Sequence, residues 1–251
     1  MNKTDHKEFY NSASEFYDDM VSFTSSVESR IKWFEPLLND KMKKAADLGC
    51  GSGSDTIALS KLGLEVTGFD VSEGMIEQAR KNAAEYKVHP EFKVSYIENI
   101  SSEYYNTFDL VTSQGNTFAN IPNNKLAAIV EKIKKIIIPG GMLVLQILNY
   151  PLILETKERI INIKKAGKFT YIRFYDFYPD HLDFNILKFE TEHPESRDII
   201  TTTIYPHMPL TITNHLRECG FSNIRLFGSQ KLEEFEKGKS KDVIIIAESM
   251  S

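Results

Sequence analysis

The chain has 251 residues, 41% of them hydrophobic, which is enough to bury a full core in one large domain with a subsidiary lobe. Its formal net charge of -5 excludes a broad nucleic-acid surface, which needs clustered Lys and Arg. Two distant cysteines, Cys50 and Cys219, make no disulfide framework; residues 1–8 are polar and no apolar run reaches membrane-spanning length, so a cytoplasmic protein without a membrane partner is expected.

Ahead of residue 45 the pattern is helical. Phe9, Tyr10, Phe16, Tyr17 and Met20 recur at helical intervals, as do Ile31, Phe34 and Leu38, and Pro36 predicts a kink or break. Residues 45–53 then read Ala-Ala-Asp-Leu-Gly-Cys-Gly-Ser-Gly: an apolar run ending in three alternating glycines, before the apolar-periodic Ile57, Ala58 and Leu62. That is strand, tight turn and helix, the first unit of a nucleotide-binding α/β sheet. A second strand over 65–69 ends at Asp70, where such folds place an acid for ribose hydroxyls. Ser72 is an N-cap for a helix carrying Met75, Ile76, Ala79 and Ala83. Strands are predicted over 92–97 and 108–112, with a loop over 113–121 at the ligand-binding end of the latter. An amphipathic helix over 126–138 stops at Pro139-Gly140-Gly141, and the continuous apolar run 142–148 is a buried parallel strand.

Residues 151–207 leave this alternation. A helix is predicted over 152–165, with Lys164 and Lys165 at its solvated end. Gly167 then marks a change to three antiparallel strands over 170–178, 182–191 and 198–205. A helix over 213–218 and strands over 223–227 and 243–247 close the chain. The organisation is a helical cap (1–44), a core (45–150 and 208–251) and an inserted helix and antiparallel β lid (151–207).

The glycine spacing decides between ligand classes. The dinucleotide fingerprint places its last small residue where Ser54 stands, whereas the third glycine falls early, at Gly53. Asp47, just ahead of the turn, is unlike a phosphate cradle. Acid-x-Gly-x-Gly-x-Gly followed by a strand-end acid resembles the class I S-adenosylmethionine-dependent methyltransferases. The resemblance implies a Rossmann-like fold: α/β, with a seven-stranded, mostly parallel sheet and an antiparallel β insertion. It implies S-adenosylmethionine as cofactor, leaving as S-adenosylhomocysteine. The cofactor set it implies on this chain is Asp47, Gly49, Gly51 and Gly53 at the turn, with Asp70, Val71 and Met75 after the second strand. Ile97 and Glu98 stand at the end of the third strand, Gln114 and Gly115 follow the fourth, and Arg30 comes from the cap.

Gln114-Gly115-Asn116-Thr117-Phe118-Ala119-Asn120 is similar to the loop of the glycine N-methyltransferase branch, as are Asn149-Tyr150 and Tyr205-Pro206-His207. Where that branch carries an arginine for the carboxylate of glycine, this chain has Leu148. An aliphatic side chain cannot replace a planar two-pronged donor, so glycine is a poor acceptor here. The resemblance places Asn116 at the chemistry and Asn120, Tyr150 and Tyr205 around the acceptor, with Tyr17 on the cap over the site; Tyr205 and His207 are the candidate bases for a hydroxyl acceptor, and Arg173 is a candidate replacement cation. Tyr17 also suits core packing, Arg173 a salt-bridged surface, and His207 a structural role. The scattered histidines lack metal-ligand spacing. The expectation is methyl transfer to a small molecule, an amine before a hydroxyl or carboxylate, by a monomer or homodimer. A non-catalytic cofactor-binding protein and a nicotinamide dinucleotide dehydrogenase are the rivals.

Overall fold

The computed structural model describes residues 4–250; the first three residues of the polar segment 1–8 lie outside the described residues. Three helices come first: α1 (His6–Ala13), α2 (Tyr17–Val21) and α3 (Phe23–Phe34). The Asp5 side chain accepts the Glu8 N–H at 2.9 Å and so caps α1. The break foreseen at Pro36 is a 3-10 turn, Glu35–Leu37, directly after α3.

An alternating stretch follows: β1 (Lys44–Leu48), α4 (Ser54–Lys61), β2 (Glu65–Asp70), α5 (Glu73–Glu85), β3 (Glu91–Val94), β4 (Phe108–Ser113), α6 (Leu126–Ile136) and β5 (Ile137–Leu148). After α7 (Tyr150–Thr156) come β6 (Ile160–Ala166), β7 (Phe169–Phe177), β8 (Leu182–Glu190) and β9 (Arg197–Ile204). The chain closes with α8 (Pro209–Glu218), β10 (Phe221–Phe227) and β11 (Asp242–Ser249).

Seven strands form one sheet in the order β10-β11-β5-β4-β1-β2-β3, with β11 antiparallel to both neighbours and the other pairs parallel. Side chains alternate across it, which sorts the core into two layers. Ala46, Leu48, Val111 and Leu145 face the apolar stripes of α6 and α8. Ala45, Val66, Leu110 and Val144 face Trp33 and Phe34 of α3 and Ala58 and Leu59 of α4. Each large apolar side chain buried this way contributes roughly 1.5–3 kcal/mol. The strand order reverses between β1 and β4, and open α/β sheets bind ligands beyond the carboxyl ends of the strands flanking such a point.

The second sheet, β6-β7-β8-β9, is antiparallel throughout. It has four strands where three were expected. The helix expected over 152–165 ends at Thr156, because Lys157 adopts a left-handed conformation (φ 49°) that an α-helix cannot continue. The β-branched Ile160 and Ile163 then pair with Phe174 and Ile172 of β7, with Ile161 at a register shift between them. Lys164 is therefore no helix end: its ammonium donates to the Asp19 and Met20 carbonyls and the Ser22 hydroxyl at the end of α2. Two boundaries also move. β3 stops at Val94, with Ile97–Asn99 a 3-10 turn, and Pro139-Gly140-Gly141 lies within β5, not ahead of it.

Helix α1 lies between α5 and β9 of the second sheet, and α2 lies against β6. Asn11 of α1 accepts from the Ser72 hydroxyl at 2.6 Å and the Gly74 N–H at 3.2 Å, at the start of α5. Phe9 and Met20 pack against Tyr171 and Ile186 of the second sheet. Among the described residues, no helix is long and apolar enough to cross a membrane.

Candidate functional site

The glycine turn after β1 is bound to the end of β2. The Phe69 carbonyl accepts the Gly49 and Cys50 N–H groups at 2.7 and 3.0 Å. Asp70 Oδ2 accepts the Gly51 N–H and Oδ1 the Ser72 N–H, each at 2.9 Å. Burial pushes the Asp70 carboxyl up despite these amide donors, which pull it down. Gly49 and Gly51 are both left-handed, with φ 73° and 53°. A Cβ on Gly49 would stand 2.3 Å from Thr117 Cγ2, whereas one on Gly51 would meet no protein atom within 4 Å. The second glycine therefore faces open space.

That space is a cavity of about 560 Å³, in the size range of small-molecule and cofactor sites. Of the residues expected to bind cofactor, it is lined by Arg30, Gly49, Gly51, Asp70, Val71 and Met75, and further along by Ile97, Glu98, Gln114 and Gly115. Tyr17, Asn120, Arg173 and Tyr205 also reach it. Gln114 is 3% exposed; its Nε2 donates to Thr112 and to the Val144 carbonyl, while its Oε1 has no partner among the described residues. Glu98 pairs with Lys125 at 3.0 Å, and Arg30 Nε with Asp55 Oδ1 at 3.2 Å.

Four expected positions lie elsewhere. Asp47 is buried behind the turn, where its Oδ2 accepts the Thr56 hydroxyl at 2.7 Å; burial, with Asp55 beside it, pushes its carboxyl up. Gly53 begins α4 and faces Ala79 and Phe92. Tyr150 is fully buried, its hydroxyl accepting from Asn116 Nδ2 at 2.8 Å. His207 is 3% exposed, with Nε2 at 2.8 Å from the Ile121 carbonyl, and burial lowers its pKa. A ring held this way is a strut under the loop after β4, and it lines neither this cavity nor the next.

A second cavity of about 340 Å³ adjoins the first, the two sharing Tyr10, Tyr17, Arg30, Gly115, Asn120 and Arg173 as wall. Asn116 lines only this one. Its backbone N–H donates to Gln146 Oε1 at 2.9 Å and its Oδ1 accepts the Leu148 N–H at 3.1 Å. With Tyr150 taking the other side of the amide, Asn116 is consumed in holding the loop rather than offered to a ligand. Asn120 differs: its Oδ1 is buried without a partner among the described residues. Burial pushes the Tyr10 and Tyr17 hydroxyls up, and that of Tyr175 to about 12, so all three are neutral phenols near pH 7.

His6, Tyr10, Asp55, Thr117 and Asp242 are site residues that the sequence did not single out. Tyr10 sits within a helical aromatic pattern that reads as core. Asp242 begins a strand far along the chain, and nothing local marks it.

The architecture is that of a Rossmann-like methyltransferase fold with an antiparallel insertion. Residues 45–141 match the family model described as "Methyltransferase domain". The chain is similar to the ubiquinone biosynthesis O-methyltransferase of Coxiella burnetii, at 27% identity over 150 residues, covering 58% of this chain and 62% of the relative. The chain thus spans about three-fifths of the length of that curated relative. In fold it resembles an S-adenosylmethionine-dependent methyltransferase from Clostridium acetobutylicum, with TM-score 0.78, 18% identity, and 96% and 99% of the two chains covered. It also resembles the CcbJ methyltransferase of Streptomyces caelestis, with TM-score 0.73, 16% identity and 88% and 89% coverage.

Proposed function

We propose that the chain is an S-adenosylmethionine-dependent methyltransferase acting on a small molecule, with an amine nitrogen favoured as acceptor. The observation that carries this reading is Asp70, a strand-end carboxylate that both lines the larger cavity and fixes the glycine turn. The residues present fit the cofactor. Asp70 has acceptor capacity left for ribose hydroxyls beyond its two backbone donors. Met75 and Ile97 supply apolar walls for a base, the absent side chain of Gly51 leaves room beside the turn, and Gln114 Oε1 is a buried acceptor waiting for an N–H donor. When bound, the cofactor supplies an electrophilic methyl group on a sulfonium.

The protein contributes position and dryness. The smaller cavity holds the acceptor, and Asn120 Oδ1, at the wall common to both cavities, takes the N–H or O–H of the accepting group and so turns its lone pair. Helices α1 and α2 and the second sheet cover this meeting point and keep water from it. A neutral amine needs no base, in keeping with three protonated tyrosines around the chamber. The resemblance of the loop 114–120 to the glycine N-methyltransferase branch supports the same choice, with Leu148 standing where that branch has its carboxylate-binding arginine.

The curated relative's name favours a second reading, transfer to a hydroxyl. Production of S-adenosylhomocysteine with matched amine and hydroxyl acceptors separates the two. Turnover confined to hydroxyl acceptors overturns the amine assignment, and tight cofactor binding with no turnover on any acceptor makes the protein a binding module.

A further inference from the structure

The smaller cavity carries charge of both signs, each on its own wall. Arg173 projects from β7 of the second sheet; its Nε donates to Asn162 Oδ1 at 2.8 Å, and it makes no ion pair among the described residues. Asp242 stands at the start of β11 in the large sheet; its Oδ1 accepts Gln146 Nε2 at 2.7 Å, and it too makes no ion pair among the described residues. The other charged wall residue, Arg30, is neutralised by Asp55 at 3.2 Å. The rest of the lining is mixed: Leu148, Ile161, Phe184 and Ile204 are apolar, and Tyr10, Tyr17, Tyr175 and Asn120 carry polar groups.

Arg30 acts on Asp242 from the same wall, yet neither Arg173 nor Asp242 has a direct ion pair, and the hydration each loses in the chamber is a cost that a ligand of matching charges removes. Resting on the methyltransferase reading, we propose that the acceptor is amphoteric: an anionic group facing Arg173 and a cationic group, separate from the neutral accepting nitrogen, facing Asp242. Asp242 has a second duty that fits this placement. Through Gln146 it supports the backbone of Asn116, so the residue that meets the acceptor also steadies the loop after β4.

The test is a titration of the full chain, saturated with S-adenosylhomocysteine, with three probes of one shape: phenylalanine, phenethylamine and 3-phenylpropanoate. Phenylalanine is expected to bind at least about tenfold more tightly than either singly charged probe, as two partly buried charge pairs demand. Arg173→Gln should erase the advantage over phenethylamine, and Asp242→Asn the advantage over 3-phenylpropanoate, with affinity for S-adenosylhomocysteine kept as the check on folding. Equal binding of the three probes, or no binding of any to the cofactor-loaded chain, overturns the proposal and leaves the methyltransferase reading standing. Failure of S-adenosylhomocysteine itself to bind is the separate result that removes that reading.

Discussion

Asp70 and Gly51 are joined by a 2.9 Å hydrogen bond from the Gly51 amide to the carboxylate, which ties the turn after β1 to the end of β2. The acid that reads as a ribose ligand is thus also the clamp that shapes the glycine turn. Asp70→Ala removes both roles and is expected to weaken S-adenosylhomocysteine binding by about 1–3 kcal/mol. Asp70→Asn, which retains one acceptor oxygen, should lie between the variant and the wild type. Calorimetric titration of the three proteins checks this, and indistinguishable affinities would contradict it.

The two glycines of the turn should fail in different ways. An alanine at Gly49 collides with Thr117, and an alanine at Gly51 collides with no protein atom while pointing into the cavity region. Both pay the left-handed penalty of about 1–2 kcal/mol. Gly49→Ala is therefore expected to lose more thermal stability than Gly51→Ala, whereas Gly51→Ala is expected to keep its fold and lose cofactor affinity. Thermal unfolding with and without S-adenosylhomocysteine reads both effects, and a Gly51→Ala protein stabilised by ligand as fully as wild type would contradict the placement.

Asp47 predicts a pH effect on stability rather than on binding. Unfolded, an aspartate titrates near ~4. Folded, Asp47 titrates higher because it is buried beside Asp55. The native state therefore holds the proton across that interval, and stability falls as pH rises through it. Asp47→Asn lacks this loss. The variant's stability relative to wild type should increase by about 1–3 kcal/mol between roughly pH 5 and pH 9. Denaturant titrations at the two pH values measure it, and an unchanged difference would contradict it.

Asn116 is expected to matter for the fold before it matters for chemistry. Its amide bridges Tyr150 and the Leu148 N–H, and its backbone is left-handed at φ 65°. Asn116→Ala leaves buried polar groups unpaired, at a cost of about 1–3 kcal/mol. Denaturant unfolding should show this loss. A variant of wild-type stability with abolished turnover would restore Asn116 to the reacting atoms.

What the sequence made legible follows physical range. The glycine turn, Asp70 and the strand alternation are local signals, each fixed by backbone geometry over a few residues, and the family resemblance they carry implied the seven-stranded sheet. Ile160–Ala166 was misread because Ile, Asn and Lys in mixed order satisfy a helical pattern, and only pairing with β7 makes it a strand. His207 and Tyr150 had the residue types of chemistry, but burial and partners 86 and 34 positions away give them structural work. Asp242 went unnoticed and Tyr10 read as core for the converse reason: their place in the site depends on the two sheets meeting over α1 and α2.

The central claim is that the cavity beside the glycine turn holds the sulfonium nucleoside. Calorimetric titration of the purified chain with S-adenosylmethionine tests this most directly. Saturable heat for one site per chain, with an affinity in the micromolar range typical of about -8 kcal/mol, is the predicted result. No heat at concentrations up to about 1 mM, where even a binding energy of about -4 kcal/mol registers, would contradict it.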